Sequence, residues 1–306
     1  MSSMQSTLKP AVIDAATDAA PDAPVKPPSL LPQLRRTLRS VPVMAAIIVL
    51  SLIVLIALFA PVLGTTDPNA LDPGERLKNI SALHWLGSDA FGRDVFSRVL
   101  YGARTSVIAG LGAAIISVSV GLAIGVVSGY FRFADAIIMR VMDGFMAIPG
   151  ILLAIALVSL SGATLLTVLV AITVPEIPRV VRLVRSVVLT VRSEPYVEAA
   201  ISLCTSVPRI LWRHLVPNTI APLIVQGTYI FASAILTEAI LSFLGAGLGA
   251  ETASWGNIMA EGRVYFQLQP GLILYPGILL SLTVLSVNLL GDAMRDALDP
   301  RMARRL

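Results

Sequence analysis

Long apolar runs alternate with short charged segments along this chain, and the runs have lengths that suit a bilayer. Residues 43–63 carry no charge and follow a basic cluster of Arg35, Arg36 and Arg39. Residues 105–131 are charge-free between Arg104 and Arg132, 144–175 are charge-free again, a further run covers 215–237 and extends past Glu238 to about Phe243, and a last one covers 270–291. Uncharged stretches of about 18 residues or more read as membrane-spanning helices, because the hydrocarbon core is about 30 Å thick and a helix rises about 1.5 Å per residue. A single helix over 144–175 would rise about 48 Å, well beyond that core. Two helices with a turn at Ser159-Leu160-Ser161-Gly162 fit if each borrows flanking residues, so that one includes Asp143 near its start and the next runs on towards Val181.

Charge favours the second option. With six spans and the N-terminal tail inside, only Arg76, Lys78, Arg93, Arg98, Arg104 and Arg263 of the 23 basic residues lie outside. Lys and Arg concentrate on the cytoplasmic side of membrane proteins. Treating 144–175 as one span inverts the later loops and reverses that bias. A five-span chain with its tail outside restores the bias but leaves Arg35, Arg36 and Arg39 on the wrong side of the first span. The expected fold is therefore an all-α integral membrane bundle of six transmembrane helices with both termini cytoplasmic. Its parts are a disordered tail at 1–34, an N-terminal helix plus external segment at 35–104, a core at 105–292 and a tail at 293–306. In the second span Gly121, Gly125 and Gly129 recur every fourth residue. They put three glycines on one helix face, where they favour close helix packing in lipid.

Composition agrees with a membrane solvent: 56% of residues are hydrophobic and 14% charged, against roughly a quarter charged in soluble domains. Membrane lipid is thus an expected partner, and the net charge of +4 carries no nucleic-acid signal. The first apolar run begins only at Val43, too late for a cleaved signal peptide. The lone Cys204 excludes an internal disulfide, and the two histidines, His84 and His214, form no metal-ligand cluster; no metal site is expected. A phosphate-binding loop needs a lysine before Ser or Thr. Lys9 and Lys26 each precede proline and Lys78 precedes Asn79, so ATP and Mg belong on other chains. No catalytic constellation is found, and the chain does not read as an enzyme.

The loop at about 182–217 is the most informative. Tyr196 to Leu203 favours a short helix, and Pro208 suits the first turn of a second helix, whose apolar side holds Leu211, Trp212 and Leu215. Such an amphipathic element either lies on the lipid surface or docks to another protein. Glu198-Ala199-Ala200, followed by Arg209 and by His214-Leu215-Val216-Pro217, resembles the EAA loop of ABC importer permeases, with Cys204 where that family places glycine and Val-Pro where it ends in Leu-Pro. The external stretch from Trp85-Leu86-Gly87-Ser88-Asp89 to Arg93-Asp94-Val95-Phe96-Ser97-Arg98 resembles the dipeptide/oligopeptide/nickel subfamily. So do Leu241-Ser242-Phe243-Leu244-Gly245 with Ser254-Trp255-Gly256, and Gly291-Asp292-Ala293-Met294-Arg295 through Arg301. The similarity covers about 35–301. It implies a type I importer bundle with an extra N-terminal helix, in a bacterial cytoplasmic (inner) membrane. It also implies a paralogous permease partner, one or two cytoplasmic ATP-binding subunits, and a periplasmic or surface solute-binding protein. The EAA loop would then enter an ATPase cleft, and the cargo would be a di- or oligopeptide, with nickel or another small solute as the alternative.

Single charges divide between two readings. Glu238, near the outer end of its span, either lines a translocation path or is a structural carboxylate; the structural role is favoured. Asp143 and Asp292 read as interfacial charges, and Asp89, Arg93, Asp94 and Arg98 as an ion-paired external cluster. A secondary transporter would need several mid-membrane ionisable groups, of which only Glu238 approaches. The topology is tested by cysteines placed at Ser161 and Ala250 in a Cys204→Ser background. Both are expected to react with an impermeant reagent from outside; labelling of either only after the membrane is opened would defeat the topology.

Overall fold

A computed structural model describes residues 40–298. The tail expected at 1–34 lies outside the described residues, as does the end of the 293–306 segment. Among the described residues the chain is helical and has no β-strand. The helices are α1 (Val41–Phe59), α2 (Val95–Tyr130), α3 (Arg132–Ala147), α4 (Gly150–Ser161), α5 (Leu165–Arg192), α6 (Pro195–Ser202), α7 (Val207–Ile210), α8 (Val216–Phe243), α9 (Trp255–Gly262) and α10 (Gly271–Leu298). A π-helical turn, Leu211–Leu215, joins α7 to α8.

Local chemistry sets the helix starts. Asp94 caps α2 by accepting from the Ser97 amide, Thr164 and Thr167 cap α5 reciprocally, and Ser254 caps α9 by accepting from the Asn257 amide. Four helical stretches are long and apolar enough to cross a bilayer: Val41–Val62, Val95–Tyr130, Val207–Phe243 and Gly271–Leu298. A fifth is the α3–α4 pair, bent by 88°. The straight helix expected from Asp143 onward is therefore broken. Ile148, ahead of Pro149, sits in extended backbone at φ −94° and ψ 128°, as the proline ring demands of its predecessor. The remaining expected span is α5. It continues past Val181 to Arg192, and Glu176, Arg179, Arg182 and Arg185 interrupt its apolar character. Two other helices also outrun the expected boundaries. α2 begins at Val95 rather than near Thr105, and α10 continues to Leu298 beyond 292.

The helices organise around α2, whose most extensive neighbour is α5. The two run parallel, and the Gly121, Gly125 and Gly129 ladder faces Val180, Val184 and Val188 in register. A Cβ added at these glycines would stand 2.5, 2.7 and 2.7 Å from the Cβ atoms of those valines. On another face of α2, a Cβ at Gly110 would meet Ile235 of α8 at 2.6 Å. α1 packs on α2 and α10 and exposes Ile48, Leu52, Leu55 and Leu58 on its outer side, as a lipid-facing helix does. Segment 64–94 and α9 form a polar cap over one end of the bundle. Gly92 there has φ +80° and lies so close to Asp72 that no Cβ fits. The opposite end carries α6 and α7.

The glycine ladder generates a stability test. Gly125→Ala should lower the stability of the detergent-solubilised protein by about 1–3 kcal/mol through overpacking. Gly125→Ala with Val184→Ala should recover part of that loss as a double-mutant coupling. Gly144→Ala, where nothing lies within 4 Å, should be neutral or stabilising. Thermal unfolding checks all three, and a loss at Gly144 equal to that at Gly125 would refute the packing role.

Candidate functional site

At the end opposite the cap, α5 hands the chain to α6 and an elbow at 203–206. Val197, Ile210 and Leu215 are fully buried against Val188 and Val191 of α5, so the loop is clamped to the bundle. The Tyr196 and His214 rings lie 5.8 Å apart. Asn218 Nδ2 donates to the His214 carbonyl at 2.6 Å and to the Tyr196 hydroxyl at 3.3 Å. Arg192 Nη1 donates to the Tyr130 carbonyl at 2.7 Å, pinning the ends of α5 and α2 together. Arg185 makes two hydrogen bonds to Asp135 at 2.5 and 2.6 Å, which ties α3 to α5.

The elbow itself is a left-handed helix stop. Cys204 has φ +55°. Its amide donates to the Ile201 carbonyl at 2.9 Å and the Thr205 amide to the Ala200 carbonyl at 3.1 Å. This pair of bonds defines a Schellman cap, normally built on glycine because a Cβ in this conformation costs about 1–2 kcal/mol. The two short helices expected over 196–213 are present and meet at Cys204. Of the loop residues singled out in the sequence, Glu198, Ala199, Cys204, Arg209 and Pro217 are exposed and Ala200 and His214 half-buried. The Glu198 carboxylate has no ion pair among the described residues. Leu203 at the tip is 81% exposed and Trp212 is 73% exposed, an apolar surface on the face where α6 and α7 project.

Glu238 is elsewhere. It is fully buried, accepting from Ser106 Oγ of α2 at 3.2 Å and from Ser242 Oγ at 2.9 Å. It sits in a hydroxyl-lined seam between α2 and α8 near the cap, where it joins the two helices. The external charges form a buried network. Arg93 Nε donates to Asp89 at 2.6 Å, both Arg93 and Arg98 pair with Glu261 of α9, and His84 Nδ1 lies 3.0 Å from Asp94. Burial pushes the Glu261 carboxyl up from its ordinary value, against the pull of Arg98 and Arg93. With Trp255 Nε1 donating to the Val99 carbonyl at 3.1 Å, this network fastens the cap to α2. Asp143 pairs with Arg182 at 2.6 Å, and Asp292 is exposed.

Sequence reasoning passed over a second site. A cleft of about 400 Å³ opens between the α3–α4 bend, α5 and α8, lined by Phe145, Met146, Pro175, Glu176, Arg179, Tyr229, Ser233 and Thr237 among others. Arg179 Nη1 donates to both Glu176 oxygens at 3.0 and 3.1 Å, and Ser233 Oγ lies 3.4 Å from the same carboxylate. Glu176 is about 17 Å along α5 from Leu165, and Ser233 about 15 Å along α8 from Phe243. Both therefore sit near the middle of a 30 Å hydrocarbon core. A charge at that depth costs about 2.5–3.5 kcal/mol on insertion scales unless it faces protein or water. The missed signal was Pro175-Glu176-Ile177-Pro178, a charge and two prolines just where an apolar run seems only to end.

The family described as the inner membrane component of binding-protein-dependent transport systems matches residues 117–304. The chain belongs to this family. It is 54% identical over 251 residues, 82% of this chain and 86% of the other, to a probable peptide ABC transporter permease of Sinorhizobium fredii. It is 41% identical over 257 residues, 84% of each chain, to a dipeptide transport system permease of Alkalihalophilus pseudofirmus. It is 38% identical over 270 residues, 88% of this chain and 90% of the other, to a glutathione transport system permease of Pectobacterium atrosepticum. In fold it resembles the inward-facing MetNI methionine ABC transporter, with a TM-score of 0.50 and 19% identity over 67% of this chain and 94% of that one. The protein is thus a multi-pass permease subunit of an ABC importer, and its bundle is of the importer kind.

In this permease the cysteine at the left-handed elbow is open to a direct test. Cys204→Gly should stabilise the protein by about 1–2 kcal/mol, because glycine reaches positive φ without strain, and should leave transport intact. Thermal unfolding and uptake measure this; a destabilised Cys204→Gly variant would show that the elbow is not held left-handed.

Proposed function

We propose that this permease imports di- or oligopeptides across the cytoplasmic membrane beside a second, related permease. A solute-binding protein delivers the peptide to the cap face. One or two cytoplasmic subunits hydrolyse ATP, with its Mg, and this chain binds neither. Both of its termini lie in the cytoplasm. The peptide assignment is supported by the relatives, named as peptide, dipeptide and glutathione permeases at 38–54% identity over most of their length.

The observation that carries the mechanism is the elbow. An exposed apolar tip at Leu203, near a Glu198 with no ion pair among the described residues, projects on a two-helix frame whose base is buried against α5. Such a tip suits insertion into a cleft of an ATPase subunit, where closure of the nucleotide-bound pair pulls on it. The pull reaches α5 through Val197, Ile210 and Leu215, and the bundle then turns its cleft from one side of the membrane to the other. The lipid-surface reading of the same loop is less favoured, because Val197, Ile210 and Leu215, which would form the continuous apolar face such a helix needs, are already covered by protein.

Glu198→Lys should assemble and reach the membrane, yet lower uptake about tenfold relative to ATP turnover, a size usual for coupling between sites. Cys204, with cysteines at positions 203 and 205 in a Cys204→Ser background, should crosslink to an ATPase subunit. Normal uptake in Glu198→Lys would remove the carboxylate from coupling, and failure of all three crosslinks would remove the docking.

A further inference from the structure

The cleft at the α3–α4 bend differs from the other large grooves of the bundle. Those between α1, α2, α8 and α10 and between α2 and α3 are lined almost wholly by apolar side chains, as lipid-facing grooves are. The bend cleft instead brings an acid, a base and three hydroxyls to the depth where lipid tolerates them least. Tyr229, Ser233 and Thr237 are spaced four apart on α8 and so share one face. Opposite them on α5, Glu176 is nearly buried while the Arg179 side chain is 47% exposed. Their ion pair is internal to α5, as an i,i+3 contact, and the only tie from it to a second helix among the described residues is the long 3.4 Å hydrogen bond from Ser233. Arg185 with Asp135 joins two helices through two short charged bonds instead. Tyr229 lines the cleft, is half exposed, and its hydroxyl makes no hydrogen bond among the described residues.

We infer that this cleft is the site through which the substrate passes the membrane midplane, and that it takes a small zwitterionic peptide with both ends free. Glu176 receives the terminal ammonium and Arg179 the terminal carboxylate. Tyr229 and Ser233 serve the peptide group between them. The inference rests on the peptide-import reading and adds to it the residues that meet the cargo. Its physical basis is charge conservation in a poor solvent. An ion pair that opens to hold a zwitterion exchanges one neutral assembly for another, so no net charge enters the low-dielectric interior. The bend is what makes room: with α3 and α4 in one straight helix, Phe145 and Ile148 would not line this space. A volume of about 400 Å³ lies within the roughly 300–1,000 Å³ of small-molecule sites. A hard divalent cation is a poor fit, since it seeks several oxygen ligands and would meet the Arg179 charge beside a single carboxylate.

The test uses the whole transporter in proteoliposomes, with its partner subunits, ATP and peptide-loaded binding protein, and reads peptides imported per ATP hydrolysed. Glu176→Gln and Arg179→Gln should each lower this ratio for a free-ended dipeptide about tenfold, the size expected for losing one charged hydrogen bond. A ratio unchanged in both variants would overturn the inference. So would a fall in uptake strictly proportional to loss of assembled complex, which marks the pair as structural. If either variant fails to assemble, Tyr229→Cys in a Cys204→Ser background decides instead. A thiol reagent should label it, and dipeptide present during turnover should slow that labelling about tenfold, as expected for a site occupied most of the time. Labelling indifferent to peptide would overturn the assignment of the cleft. Wild-type transporter that imports no peptide under any loaded binding protein would instead defeat the peptide reading itself, and this inference with it.

Discussion

Within a bilayer no hydrophobic force draws two helices together, because lipid tails are as apolar as leucine; contact has to come from shape. The seam between α2 and α5 is where this chain supplies it. Three glycines of α2 admit three valines of α5 at the same four-residue interval, and the valine Cβ atoms approach to 2.5–2.7 Å of where glycine Cβ atoms would stand. Both candidate sites are then placed by α5. Its middle carries Glu176 and Arg179 to the bilayer centre. Its far end carries Val188 and Val191, against which Val197 and Ile210 fix the elbow. The two prolines inside α5, Pro175 and Pro178, remove backbone donors from the ladder. A membrane helix tolerates this where neighbours supply other partners, and beside the break Ser117 of α2 ties the two helices by donating to the Thr173 carbonyl at 3.4 Å.

How much of this was legible depends on whether the signal was local. The elbow was: Pro208 at a helix start is a short-range feature, the EAA-loop resemblance put Cys204 at the family's glycine position, and φ at Cys204 is left-handed as a Schellman stop requires. The glycine face on α2 was also readable, since a period of four is visible in one helix. Its partner was not, because nothing in 180–188 announces that those valines meet glycines some sixty residues earlier. The break at 148–149 did have a local sign in Pro149. A charge-free run from 144 to 175 drew attention to length and away from that proline.

The charged residues show the same division. Asp89, Arg93, Asp94 and Arg98 read as a cluster from spacing alone, but their burial depends on Glu261, which α9 brings over the top of α2. Glu238 stood out because it follows a long apolar run, and its surroundings of Ser106 and Ser242 explain why a buried acid there needs no cation. Glu176 did not stand out although the expected span runs on past it towards Val181, because it is the first charge after the 144–175 run and reads as that run's edge. Depth, which decides the cost of a charge, is set by where the helix sits in the bundle and only loosely by where its apolar stretch stops.

The seam also constrains how the chain can move. A ladder with a four-residue repeat has matched positions one full repeat apart, about 6 Å along the helix. A smaller slide would drive valine side chains against the bulkier residues between glycines. The α2–α5 unit is therefore stiff to small shear, and close-packed interiors pass displacement on more readily than they absorb it. Helical structure is interrupted on the connections that leave this unit, at 131, 162–164 and 193–194, and again further along them at 148–149 and 203–206. On the proposed docking at the elbow, a pull there would be delivered to α5 as a whole, and the change in shape would fall on these breaks. The sharpest of them, the 88° bend between α3 and α4, is one wall of the cleft that holds Glu176.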